Sequence, residues 1–345
     1  MHIFIDESGT FSSPGTAAVS AVGALVVPDR RLPYLLKRYA GLRPSLPQEK
    51  GEVKGRLLSE EQVGQVVSLL KNKGAFFEVV TTDMSLNTKE AVDTHKRGQA
   101  HGITKNLTDE HQPTLVAESW KLREQLEAMA PQLYVQSVLT FELVAIVLRH
   151  ATLYYAQRMP RELEFFRWVI DAKGVRQVTP WEEWWSLVVM PMLQSKYLSK
   201  PMWHLTEGAD YSHFDRKFST ELDEFHKNLK PDRDTDEGTD IKKIMTDSFR
   251  FSSQAEPGLE LVDILTNAVR RSMMGNLERG GWKDIPSLML HRKDHYIHLL
   301  TLGTEDDAAS RVFPYAAMLQ HFKTGGLSLL TRMPLSRSRL GLKRT

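Results

Sequence analysis

Cysteine is absent from all 345 residues. That excludes a disulfide framework, thiol catalysis and Cys-ligated zinc, and it suits a reducing cytosol. Glycine and proline number only 21 and 16, too few for a collagen-like or low-complexity chain. An excess of one charge is lacking as well. Lys and Arg total 45 against 43 Asp and Glu, a net charge of +2, so the molecule as a whole has little field with which to steer a polyanion. A long unbroken apolar run is also missing. The most apolar stretch, Val135 to Leu153, is interrupted by Glu142, Arg149 and His150, which argues against a membrane span. The opening Met1-His2-Ile3-Phe4-Ile5-Asp6 reaches an acid too early for a signal peptide. These features predict a soluble, cytoplasmic protein.

What the chain does have is 41% hydrophobic residues, enough for a substantial core in one large domain or two small ones. Short apolar strands are expected at His2–Glu7, Ala17–Val27, Ala75–Thr82 and Glu164–Asp171, with a fifth within Ile241–Phe251. Helices are expected at Arg30–Ala40, from Ser59 to Lys73, across Leu86–Arg158 with a polar break near Gly102–Pro113, at Trp181–Tyr197, at Tyr211–Leu229 and at Pro257–Met274. Alternation of this kind predicts a mixed α/β sheet with helices on its faces. Segments of about 84–130 and 207–240 read as insertions in a domain spanning 1–280, followed by a C-terminal extension over 281–330. Residues 331–345 carry Arg332, Arg337, Arg339, Lys343 and Arg344 and no acid. That basic tail reads as a flexible solvated terminus or as a phosphate-seeking arm.

The chemistry-bearing residues sit where strands end. Asp6 and Glu7 close the first strand, and adjacent strand residues face opposite ways unless the strand breaks at Ser8-Gly9. Asp171 closes the fourth strand. Glu260 and Asp263 lie one turn apart on the last strong helix, with Asn267 and Arg270 continuing that face. Acids embedded among Leu259, Leu261, Val262 and Ile264 belong to a buried helix, and a buried carboxylate requires a partner. A metal ion and a structural ion pair are both open on periodicity alone.

The residues Ile3-Phe4-Ile5-Asp6-Glu7-Ser8-Gly9-Thr10 resemble the opening signature of the family called domain of unknown function 3800. Further elements follow in the family's order: the apolar strand closing on Pro28, Glu52-Val53-Lys54-Gly55, the strand closing on Asp171, and Gly258-Leu259-Glu260-Leu261-Val262-Asp263. The family usually has glutamine where this chain has Glu260. The resemblance covers the order of motifs over about residues 2–275. It implies a ribonuclease-H-like fold, a mixed five-stranded sheet flanked by helices, here with helical insertions. It further implies a divalent-metal-dependent nuclease cleaving phosphodiester bonds of RNA or DNA by a two-metal mechanism, in a phage-defence or mobile-element setting.

Within that implication Asp6, Asp171 and Asp263 hold Mg²⁺ (or Mn²⁺), because clustered carboxylates repel one another and hard cations relieve the repulsion. Glu7 and Glu260 are then secondary ligands or water-orienting groups. Glu52 and Lys54, with Asn267, Arg270 and Arg271, become the substrate-binding set. Nucleic acid is the expected partner, with helical insertions offering a surface for a protein. The competing expectation is a non-catalytic interaction module whose acids form an ion-pair network. A strand transferase on the same core is a further, weaker alternative.

Other motifs carry less. His291, His295 and His298 have helical metal spacing but charged neighbours, and read as a solvated face. Arg270 and Arg271 equally suit the last turn of a helix. Trp181, Trp184 and Trp185 read as core more than as a base-stacking platform. The acidic run Asp232 to Gly238 fails as a calcium loop, since its glycine is one place late and Lys243 stands where a bidentate Glu is needed. No Walker loop, dinucleotide glycine signature or nucleophile elbow is present.

Overall fold

The architecture is that of a computed structural model, which describes residues 1–11, 18–109, 111–172, 206–221, 237–293, 295–303 and 313–331, together with Trp185, Val189 and Leu193. Most of the expected Trp181–Tyr197 helix, the Asp232–Asp236 acids and the tail from Arg332 lie outside these residues.

Strand β1 (His2–Ser8) pairs antiparallel with β2 (Val19–Val27). Helix α1 (Leu32–Leu42) follows, then a tiny hairpin of β3 (Gln48–Glu49) and β4 (Glu52–Val53). Helix α2 (Glu60–Leu70) begins in a capping box: the Ser59 hydroxyl accepts from the Gln62 amide, and the Gln62 side chain accepts from the Ser59 amide. Strand β5 (Phe76–Asp83) returns antiparallel to β2. Next come α3 (Lys89–Thr104), α4 (Pro113–Ala128) and the 26-residue α5 (Pro131–Ala156). Strand β6 (Arg167–Asp171) pairs parallel to the other side of β1. Helix α6 (Ser212–Phe218) passes directly into β7 (Ser219–Glu221), which pairs with β8 (Glu237–Thr239). Helix α7 (Ile241–Thr246), capped by the Asp240 carboxylate, precedes β9 (Phe249–Ser252), parallel to β6. Helix α8 (Pro257–Met273) has proline in its first turn and Gly275 at φ +73° just past its end. A short α9 (Arg279–Trp282), strand β10 (His298–Leu299) and α10 (Ala316–His321) complete the described chain.

The central sheet is mixed and has six strands in the order β10-β5-β2-β1-β6-β9. The expected count of five is corrected by β10, which lies parallel to β5 with His298 opposite Val80 and Leu299 opposite Thr81. Two residues are too few to show any period, so this strand leaves no sequence pattern. The His291–His298 stretch is correspondingly not a helix. The expected strand within Ile241–Phe251 is mostly α7, because Asp240 offers its carboxylate to the Lys243 amide at 2.8 Å. The expected Tyr211–Leu229 helix ends at Phe218.

Side chains alternate across the sheet into two cores. Ile3, Ile5, Val22, Ala24, Trp168 and Ile170 pack on the side covered by α5. Phe4, Ala21, Leu25, Phe77 and Val169 pack on the side covered by α1, α2 and α8. Helix α5 has the length and apolarity of a membrane span, yet it is mostly buried within the described structure. Helix α8 comes unusually close to the sheet. A Cβ on Gly23 would collide with Thr266, and one on Gly258 would enter the Phe4 ring.

Candidate acidic cleft

The β1 alternation decides which acid reaches α8. Phe4 packs in the α8-side core, so Asp6 and Ser8 share that face and Glu7 points to the other. Strand β1 runs unbroken through Ser8, with Glu7 opposite Val22. Glu7 therefore does not line the cleft, a correction to its expected place as a ligand. On β6, Val169 belongs to the α8-side core, and Asp171, two residues on, shares its face. The β1–β6 register pairs Ile5 with Ile170, which sets Asp6 and Asp171 side by side one step further along.

Asp263 arrives from α8. Its Oδ2 accepts a hydrogen bond of 2.7 Å from the Gly55 amide. That contact exists because residue 55 is glycine: a Cβ there would stand 2.7 Å from the Ile264 Cα. The turn carrying Gly55 also brings Glu52 and Lys54, which form an ion pair with each other. Asp6, Glu52, Lys54, Asp171, Gln254, Glu256, Glu260 and Asp263 line one small cleft of about 20 Å³. That is room for a single water molecule or a bare ion.

Electrostatics follow from this crowding. Burial pushes the Asp171 carboxyl up. Lys54 opposes that, while Glu52 and Asp263 add to it, and the outcome is about 6. Burial also raises Asp263, against the Gly55 amide and Lys54. For Lys54, burial disfavours the charge, but its bond to Glu52 and the attraction of Asp263 and Asp171 outweigh it, leaving the ammonium raised. The cleft thus holds two strained carboxyls and one secured cation. Among the described residues, no three His, Asp or Glu side chains are gathered tightly enough to cage an ion as they stand.

Glu260 has a different job from the one expected. It is 4% exposed. One oxygen accepts from the Tyr39 hydroxyl at 2.9 Å and from Arg43 Nε at 2.8 Å; the other accepts from Arg43 Nη2 at 2.7 Å and from the Val53 amide at 2.9 Å. Burial raises its pKa, but the Arg43, Val53 and Tyr39 bonds prevail and hold the carboxyl below the usual range. Glu260 ties α1 and the β3–β4 hairpin to α8, and so fixes the backbone from which Glu52 and Lys54 project.

The remaining expected substrate-binding residues do not line the cleft. Asn267 donates to the Ser8 hydroxyl at 3.0 Å. Arg270 donates to the Val19 carbonyl, and Arg271 to the carbonyls of Gly55 and Leu58. Asn267 ties α8 to the end of β1, and the two arginines brace backbone around the site. His291 and His295 bond to the Tyr296 hydroxyl and the Leu319 carbonyl, and so do not form a metal trio with His298. Sequence reasoning missed Tyr39, Arg43, Gln254 and Glu256. Tyr39 on α1 and Arg43 just past its end are four residues apart, a spacing visible in sequence without any hint of their shared partner. Glu256 lies just before Pro257 and pairs with Arg250 and Ser252.

Compared with known families, curated proteins and solved structures, the chain matches none.

Proposed function

We propose that this chain is a divalent-metal-dependent nuclease acting on RNA or DNA, with a ribonuclease-H-like core. The observation that carries the reading is the meeting of Asp6, Asp171 and Asp263, from three separate elements, at one cleft the size of a single ion. Strand order supports it too. Without β10, the sheet runs third, second, first, fourth, fifth, with only the second strand antiparallel to the first.

The donor set suits Mg²⁺ or Mn²⁺, since all three side chains offer hard oxygens and Asp171 and Asp263 are destabilised by burial and crowding. Asp6, Asp171 and Asp263 are the residues that would hold the ion. A bound cation supplies Lewis-acid stabilisation of a phosphodiester and an acidified water. Lys54, which lines the cleft with its side chain 41% exposed, would meet a phosphate oxygen. Glu52 holds that ammonium, and Glu260 keeps both in register through Val53.

A second reading is favoured by one observation. The Lys54 ammonium already sits among these acids, as it would in a purely structural ion-pair network on an interaction module. The deciding experiment incubates the protein with labelled single- and double-stranded RNA and DNA, in Mg²⁺, Mn²⁺ or EDTA, beside Asp6→Asn and Asp263→Asn variants. Cleavage that requires metal and disappears in both variants is expected. Cleavage that persists in EDTA overturns the metal dependence, and no cleavage of any substrate overturns the nuclease and leaves the module.

A further inference from the structure

A second cavity lies across the sheet from the acids, between α3, α5 and the segment after β10. Its free volume is about 160 Å³, close to that of engineered cavities of about 150 Å³ that bind benzene. Leu126, Val138, Phe141, Leu300 and Leu302 supply its apolar wall. That wall is anchored. The Leu300 amide bonds to the Thr81 carbonyl, the Thr82 hydroxyl to the Leu300 carbonyl, and the Leu302 amide to the Asn87 side chain. Lys96 fastens α3 to the Met129 carbonyl at 2.9 Å.

Beside Gln99, Ser137, Glu142 and Thr301, the lining holds a hydrogen-bonded ring pair, His95 and Tyr134. His95 Nδ1 and the Tyr134 hydroxyl are 2.6 Å apart. Tyr134 is 2% exposed, and His95 Nδ1 is its hydroxyl's one partner among the described residues. Were Nδ1 the donor, the buried phenol O–H would have nothing to bond to, so the phenol donates and Nδ1 accepts. The proton of the neutral imidazole then resides on Nε2, a donor without a partner among the described residues. Burial lowers the His95 pKa, which keeps the ring in that neutral form.

We infer that this cavity is a binding site for an uncharged single-ring aromatic molecule bearing a hydrogen-bond acceptor, such as an aromatic amide or a pyrimidine base. The ring would sit against the Val138 and Leu300 wall, and its acceptor would receive a hydrogen bond donated by His95 Nε2–H. The assignment is independent of the acidic cleft.

The test uses benzamide, toluene and benzylamine as probes, titrated to their solubility limits and read by NMR of the isotope-labelled full chain. Benzamide is expected to shift the Val138 and His95 signals saturably, binding about five- to tenfold more tightly than toluene, the worth of one hydrogen bond. Val138→Phe fills the cavity and should abolish binding of both. Gln99→Trp, at the exposed rim, is the second block should Val138→Phe fail to fold. In a Tyr134→Phe background, which leaves no phenol unpaired, His95→Phe should keep toluene affinity while removing the preference for benzamide, an outcome that mere loosening of the helices would not produce. No saturable binding, or equal binding to the filled variants, overturns the site. Equal affinity for toluene and benzamide, or tighter binding of benzylamine, overturns the acceptor assignment.

Discussion

Replacing Asp171 by Asn should make the metal-free protein more stable at neutral pH and leave it unchanged near pH 3.5. An aspartate whose ordinary pKa of 3.8 is held at about 6 keeps its proton more tightly in the folded state. At about 1.36 kcal/mol per pH unit this is worth about 3 kcal/mol at most. The sign follows from linkage. Below about 3.8 the carboxyl is protonated folded and unfolded, so nothing is lost. Between 3.8 and 6 the unfolded chain releases its proton first, and folded stability falls; above 6 the loss is complete and constant. Asn cannot ionise, so stability of the variant minus that of the native chain should climb from pH 4 to 6 and then level off. Urea unfolding in EDTA across that range measures the difference, since a shared background from all other groups cancels. Adding Mg²⁺ at pH 7 should close the gap by stabilising only the native chain, through preferential binding to its folded form. A stability difference that stays flat with pH would refute the claim that crowding and burial penalise this carboxylate.

Glu260→Gln should cost about 1–3 kcal/mol of stability, because it weakens the bidentate Arg43 contact. It should leave Mg²⁺-dependent stabilisation intact, and loss of that stabilisation would make Glu260 a ligand after all. Gly55→Ala should cost about 2 kcal/mol or more by overpacking against Ile264 and should lift the amide away from Asp263, lowering any cleavage rate more than substrate affinity; steady-state kinetics and thermal melts check both. Across the sheet, Glu78 is fully buried and bonded to His150 at 2.8 Å and to Arg292. Glu78→Gln should therefore cost about 3 kcal/mol by leaving a cation unbalanced, with little effect at the acidic cleft. Calorimetric melts beside cleavage assays separate the two.

The acids at the cleft were legible because each marks the end of a strand or a face of a helix, and period-2 and period-3.6 patterns survive in a linear sequence. Asp6, Asp171 and Asp263 needed nothing more. Glu260 did not yield to the same reasoning. It sits one turn from Asp263 on a shared face, yet its partners lie 217 and 207 residues away at Arg43 and Val53, and long-range pairing leaves no local trace. Glu7 was misjudged on a local question, whether Ser8-Gly9 ends the strand. Pairing of Ser8 with Ala21 extends β1 past the point where the glycine suggested a break. Arg270 and Arg271 read equally as a phosphate grip and as last-turn helix cations, and the carbonyls at Val19, Gly55 and Leu58 claim them, since backbone packed against a helix must satisfy its own acceptors.

The two-residue β10 has a consequence out of proportion to its length. Every residue of β5 is buried, and without His298 and Leu299 its outer rim at Val80 and Thr81 would lose its strand partner beside an apolar surface. Such a rim recruits other chains. Truncating the protein after α8 at the apparent end of the recognisable motifs should therefore yield insoluble, self-associating material instead of a smaller working core. The C-terminal extension thus supplies the strand that covers this edge of the sheet.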